Sequence, residues 1–259
     1  MTKDELYNLL DELSLPDSII GRLDAPKWCF WQRKGQIQEN EAFLLLREYI
    51  EQRTKQTDQK VRENAYSVFA KLLLRTYEPE HCQYLVDRLK VETNKYVLHT
   101  ILSGISRLQS AEGIDVSAIV ECSKHNEWMV RHTAIMALGK SNTDASREAV
   151  RYWVEQKDEK QHKFEIIYAN AALGYIGEPS DTTLLEQHIH SRIPDVKDSA
   201  IYAINNINQR LTSLEQEKTN ENFVIFSKKV LDKVDKWWYH NRARVGILCA
   251  HCDDAGDCV

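Results

Sequence analysis

The densest group of potential metal ligands in this sequence lies near its C-terminal end. Cys249 and Cys252 have the Cys-x-x-Cys spacing, Cys258 follows, and His240 precedes them. A structural zinc site takes four ligands of these types. One Cys-x-x-Cys pair with a single further cysteine has low specificity, so a frayed terminus with exposed thiols is the favoured interpretation. A small zinc site or a redox pair are the alternatives, and we otherwise predict no metal and no cofactor.

Patterns typical of catalysis are not found elsewhere in the sequence. It contains no Gly-x-Ser-x-Gly and no glycine-rich phosphate loop. We therefore predict no catalytic residue, and an enzymatic role is the less favoured interpretation.

Composition indicates a folded, soluble chain. Hydrophobic residues make up 42% of it, charged residues 28%, and the formal net charge is −5. This charge disfavours nucleic acid or an anionic membrane as the partner. No apolar run approaches the ~20 residues of a membrane span, and the acidic N-terminus lacks a signal-peptide core. We expect a cytoplasmic protein, with Cys29, Cys82 and Cys122 as small core residues in a reducing compartment.

A helical repeat underlies the middle of the chain. The stretch from Val130 to Gly139 is its best copy, and it recurs with a period of about 34 residues. Counted from its first residue, offsets 0, 4, 7 and 8 are apolar or small, and these offsets form one face of an α-helix. At offset 4 the successive copies carry Ala65, Ile101, Ala134, Ala169 and Ala200. The small residues predict close approach of neighbouring helices.

The copies resemble the HEAT-repeat superfamily in its short bacterial-type form. Val130-Arg131, Ala134 and Ala137-Leu138-Gly139 match the second helix of such a repeat best. The resemblance covers roughly residues 39–210 and implies an all-α fold, an α-solenoid of about five stacked HEAT-like helix pairs with N- and C-terminal capping helices. Because the superfamily includes adaptors, regulators and several enzymes, it implies a fold more strongly than a function.

The sequence divides into four predicted segments. Residues 1–38 form an N-terminal helix and an aromatic loop cap, with Thr2 and Glu5 as a capping box. Residues 39–210 form the solenoid, residues 211–244 a linker and a C-terminal capping helix, and residues 245–259 the Cys- and Asp-rich tail.

The second helix of each pair is expected to line a concave face, where offsets not used for packing are available to a partner. The residues predicted to bind a partner there are Lys71, Arg107, His132, Met136, Lys140, Tyr168, Tyr175 and Tyr202. We predict a non-catalytic solenoid that binds a protein, such as an adaptor, an inhibitor or an immunity-type factor. The alternative is a helical-repeat enzyme that binds nucleic acid, such as a DNA-base glycosylase, which would add the basic stretch from Lys228 to Arg244 and the Trp237-Trp238 pair.

Overall fold

The computed structural model describes residues 2–12, 39–54 and 58–215. Within these ranges the secondary-structure elements are α-helices. They are α1 (Lys3–Glu12), α2 (Glu39–Glu51), α3 (Gln59–Leu73), α4 (Pro79–Arg88), α5 (Lys95–Ser106), α6 (Ser117–Cys122), α7 (Trp128–Leu138), α8 (Asp144–Val154), α9 (Lys163–Ile176), α10 (Asp181–Glu186) and α11 (Pro194–Glu215). The aromatic loop, the C-terminal capping helix and the Cys-rich tail that we predicted lie outside the described residues.

Helices α2 to α11 follow one another as helix pairs, which we number repeats 1 to 5. The second helices α3, α5, α7 and α9 pack side by side in that order. The predicted all-α solenoid of about five helix pairs is confirmed. The shortest of these helices are α6 and α10, the first helices of repeats 3 and 5, with 6 residues each.

Helix α1 packs against repeat 1 through its apolar face, which buries Leu6 and Leu10. The capping box predicted at its start is confirmed. The Thr2 backbone N–H donates to Glu5 Oε2 at 2.8 Å, and the Glu5 N–H donates to Thr2 Oγ1 at 3.3 Å. These bonds satisfy backbone donors that the first turn of a helix would otherwise leave open.

Small residues bring the second helices close together, as the sequence predicted. A Cβ atom added at Gly104 of α5 would lie 2.4 Å from Ala70 Cβ of α3. A Cβ at Gly139 would lie 3.0 Å from the backbone of Ala172 on α9. At Gly104 no real Cβ atom would fit without a shift of the helices, and at Gly139 a Cβ atom would fit only if Ala172 moved by a few tenths of an ångström.

The chain separates into two compact units, Met1–Leu211 and Thr212–Val259. The five repeats and α1 lie in the first unit, apart from the last residues of α11. Of the second unit, only residues 212–215 are described. None of the described helices is long and apolar enough to span a membrane.

Candidate functional site

A row of polar and aromatic side chains lies at the C-terminal ends of the second helices. We call it the C-terminal row, and it consists of Lys71, Arg107, Lys140 and Tyr175, one from each of repeats 1 to 4. Lys71 and Arg107 are exposed, Lys140 is half-buried, and Tyr175 is 41% exposed. The row therefore changes along the solenoid from cationic in repeats 1 to 3 to aromatic in repeat 4.

The later part of the row is held together by direct contacts. Lys140 Nζ lies 4.8 Å from the centroid of the Tyr175 ring, a cation–π distance. The Tyr175 and Tyr202 hydroxyl oxygens lie 3.5 Å apart. Burial lowers the pKa of Lys140 and raises the pKa of Tyr175. The structure thus brings together three of the residues that the sequence predicted to bind a partner.

One helical turn before the C-terminal row lies a second row, which we call the inner row. Its members Ser67, Ser103, Met136 and Ala171 are all half-buried. The two rows are in contact in repeat 2, where Arg107 Nε donates to the Ser103 carbonyl oxygen at 3.1 Å. Three of the four side chains of the inner row are small, the exception being Met136.

Two predicted contact residues are not accessible. His132 and Tyr168 are each only 7% exposed. The His132 ring lies between Trp128 and Tyr168, with centroids 5.5 and 5.2 Å away. These two side chains, which we predicted to be available to a partner, are instead buried, because the two rings pack against each other across the junction of α7 and α9.

His132 belongs to a buried charged cluster that sequence reasoning missed. Arg131 Nε donates to Glu165 Oε1 at 2.7 Å, and His132 Nε2 lies 3.2 Å from the same oxygen. Burial alone would raise the pKa of Glu165, but its interactions with the nearby His132 ring, the backbone and Arg131 outweigh burial and lower this pKa to about 2. The cluster therefore holds a carboxylate charged inside the junction between repeats 3 and 4.

An equivalent buried cluster joins repeats 1 and 2. Arg62 Nε and NH2 donate to the two carboxylate oxygens of Glu92, each at 3.0 Å. Tyr66 Oη donates to Glu92 Oε1 at 2.8 Å. Both clusters lie at packing contacts between successive repeats.

The predicted metal ligands Cys249, Cys252, Cys258 and His240 lie outside the described residues. In the part of the chain that the structure describes, no three or more His, Cys, Asp or Glu side chains are placed to hold a metal ion. Cys82 and Cys122 are buried, as predicted, and burial raises the pKa of each thiol to about 11. Cys29, the Trp237-Trp238 pair and the basic stretch from Lys228 to Arg244 also lie outside the described residues.

Paired helices stacked through small residues define an all-α repeat solenoid. Residues 115–205 match the family model of HEAT repeats, which confirms the predicted resemblance to the HEAT-repeat superfamily.

Solved structures similar to this chain include an engineered protein and a designed protein. An engineered protein from a structural genomics consortium has a TM-score of 0.46 at 16% identity, covering 79% of this chain and 98% of that one. A designed armadillo repeat protein has a TM-score of 0.43 at 14% identity, covering 78% of this chain and 100% of that one. No curated protein matches the sequence significantly.

Proposed function

We propose that this protein is a non-catalytic solenoid that binds a protein partner on the face formed by its second helices. It would act as an adaptor, an inhibitor or an immunity-type factor. The observation that carries the proposal is the C-terminal row, in which Lys71, Arg107, Lys140 and Tyr175 follow one another across four repeats. Tyrosine and arginine are enriched where proteins contact one another, and the lysines add charge that selects an oppositely charged partner.

The separation between packing and surface residues supports this proposal. The apolar and small offsets of the second helices are buried, among them Ala65, Ile101, Ala134 and Ala169 at 0% exposure. The C-terminal row is made from offsets that this core does not use. A partner can therefore contact the row while the stacking of the repeats stays intact.

The charge of the row indicates the charge of the partner. The whole chain has a formal net charge of −5, yet three successive repeats each place a cation in the row. A local basic row on an otherwise acidic protein favours a partner whose contacting segment is acidic.

A capture experiment tests the proposal. The immobilised protein is compared with a row variant, Lys71→Glu, Arg107→Glu and Lys140→Gln, in lysate from the native host. Glutamine is used at position 140 because that side chain is half-buried. Captured proteins are identified by mass spectrometry and then tested one by one, as purified proteins, for direct binding. We expect a partner that the wild type binds directly and the row variant binds at least tenfold more weakly.

A matched control carries Lys124→Glu, Lys160→Glu and Arg192→Gln, which change the net charge by the same amount. These exposed residues lie between the first and second helices of repeats 3, 4 and 5, at the opposite ends of the second helices. The control should bind the partner like the wild type. Equal binding by the row variant would overturn the proposal. Binding of duplex DNA that weakens steeply with salt would instead support the nucleic-acid alternative.

A further inference from the structure

We infer that the partner proposed above is anchored by an apolar side chain that packs on Trp128, next to acidic residues that reach the C-terminal row. The inference rests on the proposed function and names the contact on which the affinity of the partner depends most. It follows from three observations: the Trp128 ring is exposed, it departs from the pattern of the neighbouring repeats, and it lies on the same side of α7 as Lys140.

The Trp128 ring is held in place but only partly covered. It is 47% exposed, whereas Trp153 of α8, which packs in the core, is only 7% exposed. The Trp128 ring contacts the His132 ring, with centroids 5.5 Å apart, and His132 in turn lies 5.9 Å from the ring of Phe164 on α9. These contacts set the position of the exposed ring before a partner binds, which lowers the entropic cost of burying it.

The residue type at this position differs from that in the neighbouring repeats. Lys95, Trp128 and Lys163 are the first residues of α5, α7 and α9. Lys95 Nζ lies 3.2 Å from a carboxylate oxygen of Glu127, which directly precedes Trp128. Lys163 Nζ lies 2.6 Å from a carboxylate oxygen of Asp195 in repeat 5. Repeat 3 therefore has an exposed aromatic ring where repeats 2 and 4 have ion pairs, and an apolar centre with charged groups around it is typical of a binding hot spot.

The face of the second helices is also more apolar in repeats 3 and 4 than in repeats 1 and 2. At offset 2, the half-buried residues are Glu63 and His99 in repeats 1 and 2 but Ile167 in repeat 4. Met136, one helical turn beyond His132 on α7, is half-buried as well. An apolar side chain of the partner therefore finds further apolar surface beside the tryptophan ring, where its burial is favourable.

The charge on the same side of α7 indicates the rest of the segment. Residues at steps of four begin at the first residue of α7 and end just beyond its last, and they are Trp128, His132, Met136 and Lys140. This stretch of helix measures about 18 Å, a distance that about six residues of extended chain can span. A short segment can therefore contact Trp128 at one end and the cations of the C-terminal row at the other, where acidic residues are favoured.

Peptides selected on the protein itself test the inference. A phage-displayed library of random peptides of about twelve residues, long enough to span the face, is selected on the immobilised wild type. Enriched peptides are synthesised with a fluorescein label and measured by fluorescence anisotropy. We expect them to combine an aromatic or large aliphatic residue with several acidic residues, and to bind Trp128→Ser at least tenfold more weakly than the wild type. Trp128→Phe keeps an apolar ring and should restore most of the affinity.

Tyr152 of α8 provides the matched control, because it is an aromatic residue of similar exposure, 46%, on a first helix. Tyr152→Ser should bind the selected peptides like the wild type. Circular dichroism verifies the fold of each variant. Trp128→Gln, which keeps a longer side chain beside the His132 ring, repeats the measurement if the serine variant folds poorly.

The outcomes separate the two proposals. Selected peptides that bind Trp128→Ser as tightly as the wild type would overturn the inference, and so would a selection that yields no binding peptide. If the row variant alone weakens these peptides, the proposed face is supported without the tryptophan anchor. Binding that requires Trp128 but is unchanged in the row variant would overturn the acidic part of the inference, and the capture experiment would then decide the proposed function independently.

Discussion

Two junctions of the solenoid start from the same dipeptide and bury a carboxylate in different ways. In repeat 1, Val61-Arg62 opens α3, and Arg62 meets Glu92, which lies between α4 and α5. In repeat 3, Val130-Arg131 lies in the first turn of α7, and Arg131 meets Glu165 on α9. Each arginine also donates through NH1 to a carbonyl of the segment before its helix, Arg62 at 3.0 Å and Arg131 at 2.7 Å.

The difference lies in how the carboxylate is satisfied. Glu92 accepts bidentate hydrogen bonds from Arg62, which is nearly fully buried, and a further hydrogen bond from Tyr66. Glu165 shares one oxygen between Arg131 and His132, and the Arg131 side chain is 20% exposed. The arginine at this position is therefore a connection between repeats in both cases, but repeat 1 depends on it more strongly.

The largest expected effect is the loss of the Arg62 side chain. Arg62→Ala leaves the buried Glu92 carboxylate without its charged partner, and removing one member of a buried ion pair costs about 3–5 kcal/mol. Arg131→Ala should cost less, roughly 2 kcal/mol, because His132 stays next to Glu165. Urea denaturation followed by circular dichroism measures both. Equal losses of stability would remove the distinction between the two junctions.

The second prediction concerns acid. The folded-state pKa of Glu165 is about 2, below its ordinary value of 4.5, so the unfolded chain binds more protons between these values. Stability from this group is present above about pH 5 and is lost as the pH falls towards 2, by roughly 3 kcal/mol in all.

Denaturation of the wild type and of Glu165→Gln across that pH range tests this prediction. The variant should start less stable at neutral pH and lose less stability in acid, so that the two curves approach each other. Parallel curves would show that Glu165 does not contribute to the acid sensitivity.

The third prediction uses the glycines at the same two junctions. Gly104→Ala places a Cβ atom 2.4 Å from Ala70 Cβ, whereas the closest contact for Gly139→Ala is 3.0 Å. Overpacking of a closed interior costs about 1–3 kcal/mol, so both changes should destabilise, and Gly104→Ala more than Gly139→Ala. The double variant Ala70→Gly with Gly104→Ala should recover stability relative to Gly104→Ala, and no recovery would place the strain elsewhere.

The smallest expected effect is at the C-terminal row. Lys71→Glu together with Arg107→Glu changes two exposed side chains outside both junctions. Surface substitutions of this kind stay within about 0.5 kcal/mol of the wild type. Thermal denaturation gives the value. A loss as large as that of Arg62→Ala would mean that the row stabilises the fold and is not a separate binding surface.

The fold could be predicted from the sequence because packing between repeats imposes its period on the residue pattern. Ala65, Ile101, Ala134, Ala169 and Ala200 recur at one offset, and all of them are fully buried. The short helices α6 and α10 were harder to place, since about one and a half turns of helix contain too few residues to show a period of 3.6.

The candidate site was predictable only in part, because charge pairs between repeats have no period within one helix. Glu165 stands at the repeat position where Val130 and the other copies carry valine, so periodicity alone makes it look like a mismatch. In the structure it accepts a hydrogen bond from Arg131 of the preceding repeat. The sequence did contain a sign of this ion pair, because an arginine and a glutamate occupy neighbouring repeat positions in successive repeats. His132 is buried beside this ion pair, although its position in the repeat had predicted an exposed side chain.

The glycine contacts also fix the distance between neighbouring second helices. Gly104 faces Ala70 Cβ, and Gly139 faces Cα and Cβ of Ala172. Because neither glycine nor alanine has side-chain rotamers, the spacing of the helices at these two junctions does not vary with rotamer. A methyl group at either position would lengthen one interval of the C-terminal row and leave its chemistry unchanged. If the row binds a partner as proposed, a variant that still folds would then present the same side chains to that partner at a changed spacing.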